Sequence, residues 1–186
     1  MLRSFFPQKP ELKSTREIGL MREAGKLVAQ ALRVCREMAR PGVKTVEIDQ
    51  AVEALYRERR AQPLFKGYPG RVPFPAVTCI SVNEQVVHGI PGPRVIREGD
   101  LLKIDTACKL NGWCADAAIT VPIGEVTAEK KRLVEVAERV LRVAMVEMGR
   151  KRYWTEVAAL MQKEAEQIAQ SQPEHVALQV QQWMNE

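Results

Sequence analysis

The stretch LLKIDTACKLNGWCADAAITV, residues 101–121, decides the fold. Two runs of strand character, 101–110 and 113–121, flank Asn111-Gly112, the strongest short-range signal for a β-hairpin. A two-residue turn there pairs 110 with 113, 107 with 116 and 105 with 118. Side chains alternate between faces along a strand. Asp105, Ala107, Asp116 and Ala118 therefore share one face. The two aspartates lie diagonally across the ladder, about 7–8 Å apart by backbone spacing and closer at the carboxylates. Aspartate is a poor strand former, and two like charges on one sheet face are costly without a cation between them. Two carboxylates beside small alanines that leave room predict a site for a hard or borderline divalent metal.

Upstream of the hairpin, 76–82 has the β-branched content of a strand. Asn83-Glu84 signals a turn, and 85–88 is expected to resume the strand before Gly89 and Pro91 break it. His88 ends that run. It is either a hydrogen-bonded structural histidine or, beside a metal, a ligand or a donor to a substrate carbonyl or oxyanion; the residues alone leave both open. The segment QPLFKGYPGRVPFP (62–75) is too rich in proline and glycine for a regular element. It reads as a long loop whose Phe65, Tyr68 and Phe74 either pin it to the core or line a site.

The flanks are helical. Ser14 and Glu17 form a capping box, followed at helical spacing by Ile18, Met21, Ala24, Val28, Ala31, Leu32, Cys35 and Met38. Pro41-Gly42 stops this helix. Thr45 is expected to cap a second, carrying Ile48, Val52, Leu55 and Tyr56. Beyond the hairpin, Thr127 caps a third helix with Leu133, Ala137, Val140, Leu141, Ala144 and Met148 on one face, stopped at Gly149. A fourth is expected over 155–170. After an interruption at 171–173, a short last helix carries Val176, Val180, Trp183 and Met184.

At 186 residues, 46% hydrophobic and 27% charged, the chain can bury a sizeable core and is not a disordered tail. The net charge of +5 is spread as mixed charge over helices, with no RNA-binding motif, so nucleic acid is not an expected partner. Cys35, Cys79, Cys108 and Cys114 form no C-x-x-C pair and read as reduced thiols rather than disulfides or a zinc finger. No apolar run is long enough for a membrane span and no signal peptide is evident, so a soluble cytoplasmic protein is expected.

VNEQVVHGIPG (82–92) followed by EGDLLKIDTACKLNGWCAD (98–116) resembles the core signature of type I methionine aminopeptidases. STREIGLMREAGKLVAQAL and YPG…VPFPAVTCISVNE fit the same family, and the resemblance covers roughly residues 11–160. It implies an α+β, pita-bread (aminopeptidase/creatinase-like) fold of two pseudo-symmetric halves. It also implies removal of the initiator methionine from nascent polypeptides by two divalent metal ions, with Co, Mn, Fe, Zn and Ni not distinguished. Carried over by motif, Asp105 would bind one metal in bidentate fashion and Asp116 would bridge both. His88 resembles the family's catalytic histidine that contacts substrate without binding metal. Cys79 and Tyr68 resemble residues lining the methionine side-chain pocket, where a thioether suits an apolar surface.

The family's remaining ligands, one His and two Glu of the second half, have no matching context here. His175, in PEHVALQV, is assigned to a surface or interface helix. The chain is therefore expected to represent only the first half of the fold, truncated, with weak metal binding and doubtful activity unless a homodimer completes the cleft. Its expected organisation is a tail (1–13), an aminopeptidase-like region (14–160) and a divergent helical segment (161–186). From about Ala165 the sequence resembles the C-terminal docking segment of flagellar MS-ring proteins. A second reading follows from it: a non-catalytic protein-binding module that uses the aminopeptidase-like half and the C-terminal amphipathic helix, with the ribosome or another protein as partner.

Overall fold

The computed structural model describes residues 11–170, which divide into two compact units at Val126/Thr127. The first is a helical pair on an antiparallel sheet. Helix α1, Thr15–Met38, opens with the expected capping box. Ser14 N donates to Glu17 Oε2 at 2.7 Å, and Glu17 N donates to Ser14 Oγ at 3.3 Å. Its buried stripe is Ala24, Leu27, Val28, Ala31, Leu32 and Cys35. Ile18 and Met21 continue that spacing in sequence but stand exposed on the first turns. Helix α2, Thr45–Glu58, buries Ile48, Val52, Leu55 and Tyr56.

Thr45 does not cap α2. The N-cap is Lys44, whose N–H donates to Glu47 Oε2, and Thr45 is already helical. The Thr45 hydroxyl instead exchanges hydrogen bonds with the backbone of Gly92, donating to its carbonyl at 3.1 Å and accepting from its N–H at 2.9 Å. A long-range tie has taken the hydroxyl that local pattern assigned to a cap.

The sheet is built around β3. Strands β1 (Gln62–Pro63) and β2 (Thr78–Val82) pair with successive parts of one edge of β3 (Leu101–Leu110), and β4 (Trp113–Pro122) pairs with the whole other edge. Two residues of the proline-rich loop thus enter the sheet as β1, against the expectation that none would; Pro63 fits because a proline on an edge need not donate to the ladder. The β3–β4 turn has φ 51° at Asn111 and 87° at Gly112, both in the left-handed region that a two-residue hairpin turn requires. The register that follows pairs Leu110 with Trp113, Ala107 with Asp116 and Asp105 with Ala118.

One face of this sheet carries Ile80, Val82, Leu102, Ile104 and Cys108 into a core shared with Val28, Ala31, Leu32, Ile48 and Val52. Polar ties lock the helices to the strands. Tyr56, fully buried, shares a 3.0 Å hydrogen bond with the Thr106 hydroxyl, which also bonds the Val77 carbonyl. Asp49 on α2 is buried, and its Oδ1 accepts from Val77 N (3.0 Å), Thr78 N (2.8 Å) and Thr78 Oγ1 (2.7 Å). This carboxylate holds the start of β2.

The second unit is a helical hairpin of α3 (Ala128–Glu147) and α4 (Trp154–Gln170). Thr127 caps α3 as expected, accepting from Lys130 N. The two helices run antiparallel, held by Arg139 Nη2 to Glu164 Oε1 at 2.6 Å and Arg132 Nη2 to the Ile168 carbonyl at 2.9 Å. Of the apolar face read on α3, Ala144 is buried, whereas Leu133, Leu141 and Met148 are exposed. A two-helix unit is too thin to cover both flanks of that stripe. The expected boundary at 160/161 falls inside the continuous helix α4. His175 and the expected last helix lie outside the described residues.

Asp49→Ala leaves three buried donors without an acceptor and should lower stability by about 2–4 kcal/mol in urea unfolding.

Candidate metal centre

On the face away from the helices, the register gathers Cys79, Asp105 and Ala118 in one row across β2, β3 and β4, with Ala107 and Asp116 in the next row. The alternation inferred from the sequence is therefore observed, and both carboxylates project from the same side. Asp116, Ala117 and Ala118 are exposed, while Cys79 and Ala107 are buried.

The two carboxyl groups feel each other strongly. Burial first, then the negative charge of Asp116 and a hydrogen bond between the two side chains, push the Asp105 carboxyl up from 3.8 to about 6; the charge of His88 opposes this in part. Asp105 Oδ1 is buried with no hydrogen-bond partner. No lysine or arginine among the described residues forms an ion pair with either aspartate. An orphaned oxygen on a carboxyl that is itself paired with a second carboxyl fits a hard cation. Among the described residues no third His, Cys, Asp or Glu joins them in a cluster able to hold a metal ion.

Cys79 meets this pair from β2. Burial, then the charges of Asp105, Asp116 and Asp49, push its thiol up to about 11, so at neutral pH it presents an uncharged sulfur.

His88 reaches the neighbourhood by a different route from the one expected. Residues 85–88 do not resume the strand. Asn83 takes φ 53°, Gln85 N bonds back to the Val82 carbonyl, and the chain folds over β2. There the Gly89 carbonyl accepts from Ile80 N at 2.8 Å and Gly89 N donates to Ser81 Oγ at 2.9 Å. His88 is exposed, with φ 57°, held just before this clamp. A Cβ on Gly89 would sit 2.3 Å from the Ile80 carbonyl oxygen, so only glycine fits.

Tyr68 lies apart, 67% exposed on the proline-rich loop, whose own backbone closes it: Tyr68 N donates to the Phe65 carbonyl and Phe74 N to the Tyr68 carbonyl. No hydrogen bond or charge interaction joins Tyr68 to the other four residues. The structure therefore brings together Asp105, Asp116, Cys79 and His88, and leaves Tyr68 outside that group. Ser81 and Asp49 were not singled out from the sequence. A serine two residues after a candidate cysteine, on the same strand face, is a weak signal; an aspartate buried on an amphipathic helix is a stronger one.

The profile of metallopeptidase family M24 matches residues 19–181. The chain belongs to this family. The M24 chain is 45% identical over 129 residues to methionine aminopeptidase 1 of Bacillus subtilis, covering 69% of the chain and 51% of that protein. It is 42% identical over 127 residues to the methionine aminopeptidase of Clostridium perfringens, covering 68% and 50%. The crystal structure of a methionine aminopeptidase from Thermotoga maritima superposes with a TM-score of 0.68 at 39% identity, covering 72% of this chain and 53% of that one. The expected pita-bread fold is thereby shown, and the chain spans about half the length of the curated relatives it matches. Among the described residues no helix is long and apolar enough to cross a membrane.

Two outcomes are expected from this site. The folded metal-free chain holds a proton on Asp105 between pH 3.8 and about 6, where the unfolded chain has released it. Stability therefore falls as pH rises through that window and levels off above it. In EDTA, Asp105→Asn should raise the melting temperature above pH 6, with the gain shrinking toward pH 4. Gly89→Ala should destabilise the chain by several times the ordinary ~1 kcal/mol of a surface change, measured by thermal unfolding, because backbone rather than a flexible side chain blocks the new methyl.

Proposed function

We propose that this chain carries the aspartate half of the metal centre of a methionine aminopeptidase, which removes the initiator methionine from nascent polypeptides. The observation that carries this reading is the orphaned oxygen of Asp105, a carboxyl paired with Asp116, on the face that also bears Cys79 and within reach of the charge of His88. The names of the relatives point the same way.

In this reading Asp105 and Asp116 hold divalent metal, Asp116 from the exposed strand and Asp105 from the buried one. When bound, the metal supplies Lewis acidity and a water of lowered pKa for peptide hydrolysis. The chain's own residues do the remaining work. His88, exposed and fixed by the Ser81–Gly89 clamp, donates a hydrogen bond to the substrate carbonyl. Cys79, uncharged at neutral pH, offers an apolar, polarisable wall to a methionine side chain. Tyr68, which stands apart from this group, is given no role in it. The partners are nascent chain N-termini, met in the cytoplasm at the ribosome.

Two carboxylates make up only part of a dinuclear shell. Isothermal titration with Mn²⁺ or Co²⁺ should give weak binding, which Asp105→Ala abolishes. Cleavage of a Met-Ala-Ser peptide should depend on the metal and should fall at least ~100-fold in His88→Ala without loss of metal binding. Metal binding that survives Asp105→Ala would overturn the assignment.

A second reading, a non-catalytic binding module, is favoured by the helical unit alone. Leu141, Met145, Met148, Tyr153 and Trp154 are each more than half exposed there. Metal-independent capture of a protein partner, lost when residues 171–186 are deleted, would support that reading over the catalytic one.

A further inference from the structure

The loop that carries His88, residues 84–88, is held at both ends by one row of the sheet. Ser81 on β2 pairs with Lys103 on β3, which pairs in turn with Thr120 on β4. Paired residues share a face, so this row lies beside the row of Cys79, Asp105 and Ala118 on the open side. At the far end of the loop the Ser81 hydroxyl accepts from Gly89 N. At the near end the Nζ of the half-buried Lys103 donates to the Asn83 carbonyl.

Asn83 is where the chain leaves β2, in the left-handed region at φ 53°. Its N–H donates to the Leu101 carbonyl at 3.0 Å, its Oδ1 accepts from Leu101 N at 3.0 Å, and its Nδ2 donates to Asp100 Oδ1 at 2.7 Å. Asp100 is buried, and its second oxygen accepts from Arg97 N at 2.8 Å. These bonds fix the peptide plane that enters Asn83 and its side chain. The carbonyl belongs to the plane that leaves it. The bond from Lys103 therefore acts on the rotation about the Cα–C bond of Asn83, and that rotation decides where residues 84–88 go. The turn's own bonds are long: Gln85 N to the Val82 carbonyl and Val82 N to Gln85 Oε1 are both 3.2 Å. A hydrogen bond from an ammonium group is roughly twice as strong as a neutral one. The lysine charge also reaches Glu84, whose carboxyl is held below its usual value first by its own N–H, then by Arg94 and then by Lys103.

We propose that Lys103 is a positioning residue for His88: its ammonium group, bonded to the Asn83 carbonyl, sets the direction in which the 84–88 loop folds back over β2 and so keeps the imidazole beside the carboxylate pair. The effect of the His88 charge on Asp105 registers that proximity. The role of His88 toward substrate rests on the reading above; the anchoring of the loop is a property of the metal-free chain.

Amide exchange of the full chain in EDTA, followed by NMR, reads the anchor directly. Lys103→Met keeps the apolar stem and removes the ammonium group. It should speed exchange of Gln85 and Gly89 at least ~10-fold and leave Ile104 in β3 unchanged. Lys103→Arg, which keeps a charged donor, should restore the wild-type rates at both loop amides. Unchanged loop exchange in Lys103→Met overturns the proposal. So does an equal acceleration at Ile104, which would make the lysine a general support of the sheet. If Lys103→Met does not fold, Lys103→Gln, an uncharged donor one bond shorter, takes its place with the same expected result. Turnover separates this proposal from the aminopeptidase reading. With Mn²⁺ and a Met-Ala-Ser peptide, Lys103→Met should lower kcat about tenfold at unchanged KM and Mn²⁺ affinity, and should add no further loss to His88→Ala. Loop amides that respond in a chain without turnover would sustain the anchor and sink the aminopeptidase reading. Turnover abolished by His88→Ala and untouched by Lys103→Met would keep that reading and sink the positioning role.

Discussion

The constraint on which the structure depends is the register of the β3–β4 ribbon. Side-chain direction in a strand has period two, so a slip of one residue would send Asp105 into the helix-packed core and Ile104 to the open face. Asn111 and Gly112 prevent the slip by accepting left-handed backbone angles that most residues avoid. From that turn outward every pairing is determined. The helix side receives Leu102, Ile104 and Cys108, and the open side receives both aspartates. Core and candidate metal centre are two faces of one alternation.

A second layer of constraint fixes what sits around the carboxylates. β2 contributes only five residues, and its start is tethered by the buried Asp49 carboxylate on α2. That tether sets Cys79 opposite Asp105. Ser81, two residues on, then receives Gly89 and so limits where His88 can stand. Burial costs Asp49 its hydration, and three hydrogen bonds on one oxygen offset that cost. Asp105 receives no such compensation at Oδ1, and the proposed metal-binding role of Asp105 rests on this difference.

The parts legible in the sequence were those written in local code. The capping box at Ser14, the Thr127 cap, the two-residue turn and the alternation around it need only neighbours within a few residues, and each appears in the structure. The pairing of Asp105 with Asp116 on one face followed from the same local rule. What sequence missed depends on distant partners. Thr45 resembles an N-cap but is bonded to Gly92. Residues 85–88 carry strand-forming valines, yet Asn83 and the Ser81–Gly89 clamp fold them back over β2. Ile18 and Met21 keep the helical spacing of the core stripe with nothing among the described residues to cover them. The shift of the Asp105 carboxyl also requires three-dimensional proximity, because it arises from burial and a neighbour eleven positions away.

That small separation has a kinetic corollary. Most metal centres wait on the assembly of remote segments, but here the two anionic donors are brought together by closing a single tight loop. Hairpins of this kind form in about 1–10 μs, although a lone ribbon is barely stable in water until helices pack on it. The arrangement of the carboxylates is thus an early and local event in the maturation of the chain. The cation affinity proposed for them would come later, once the core has packed beneath them.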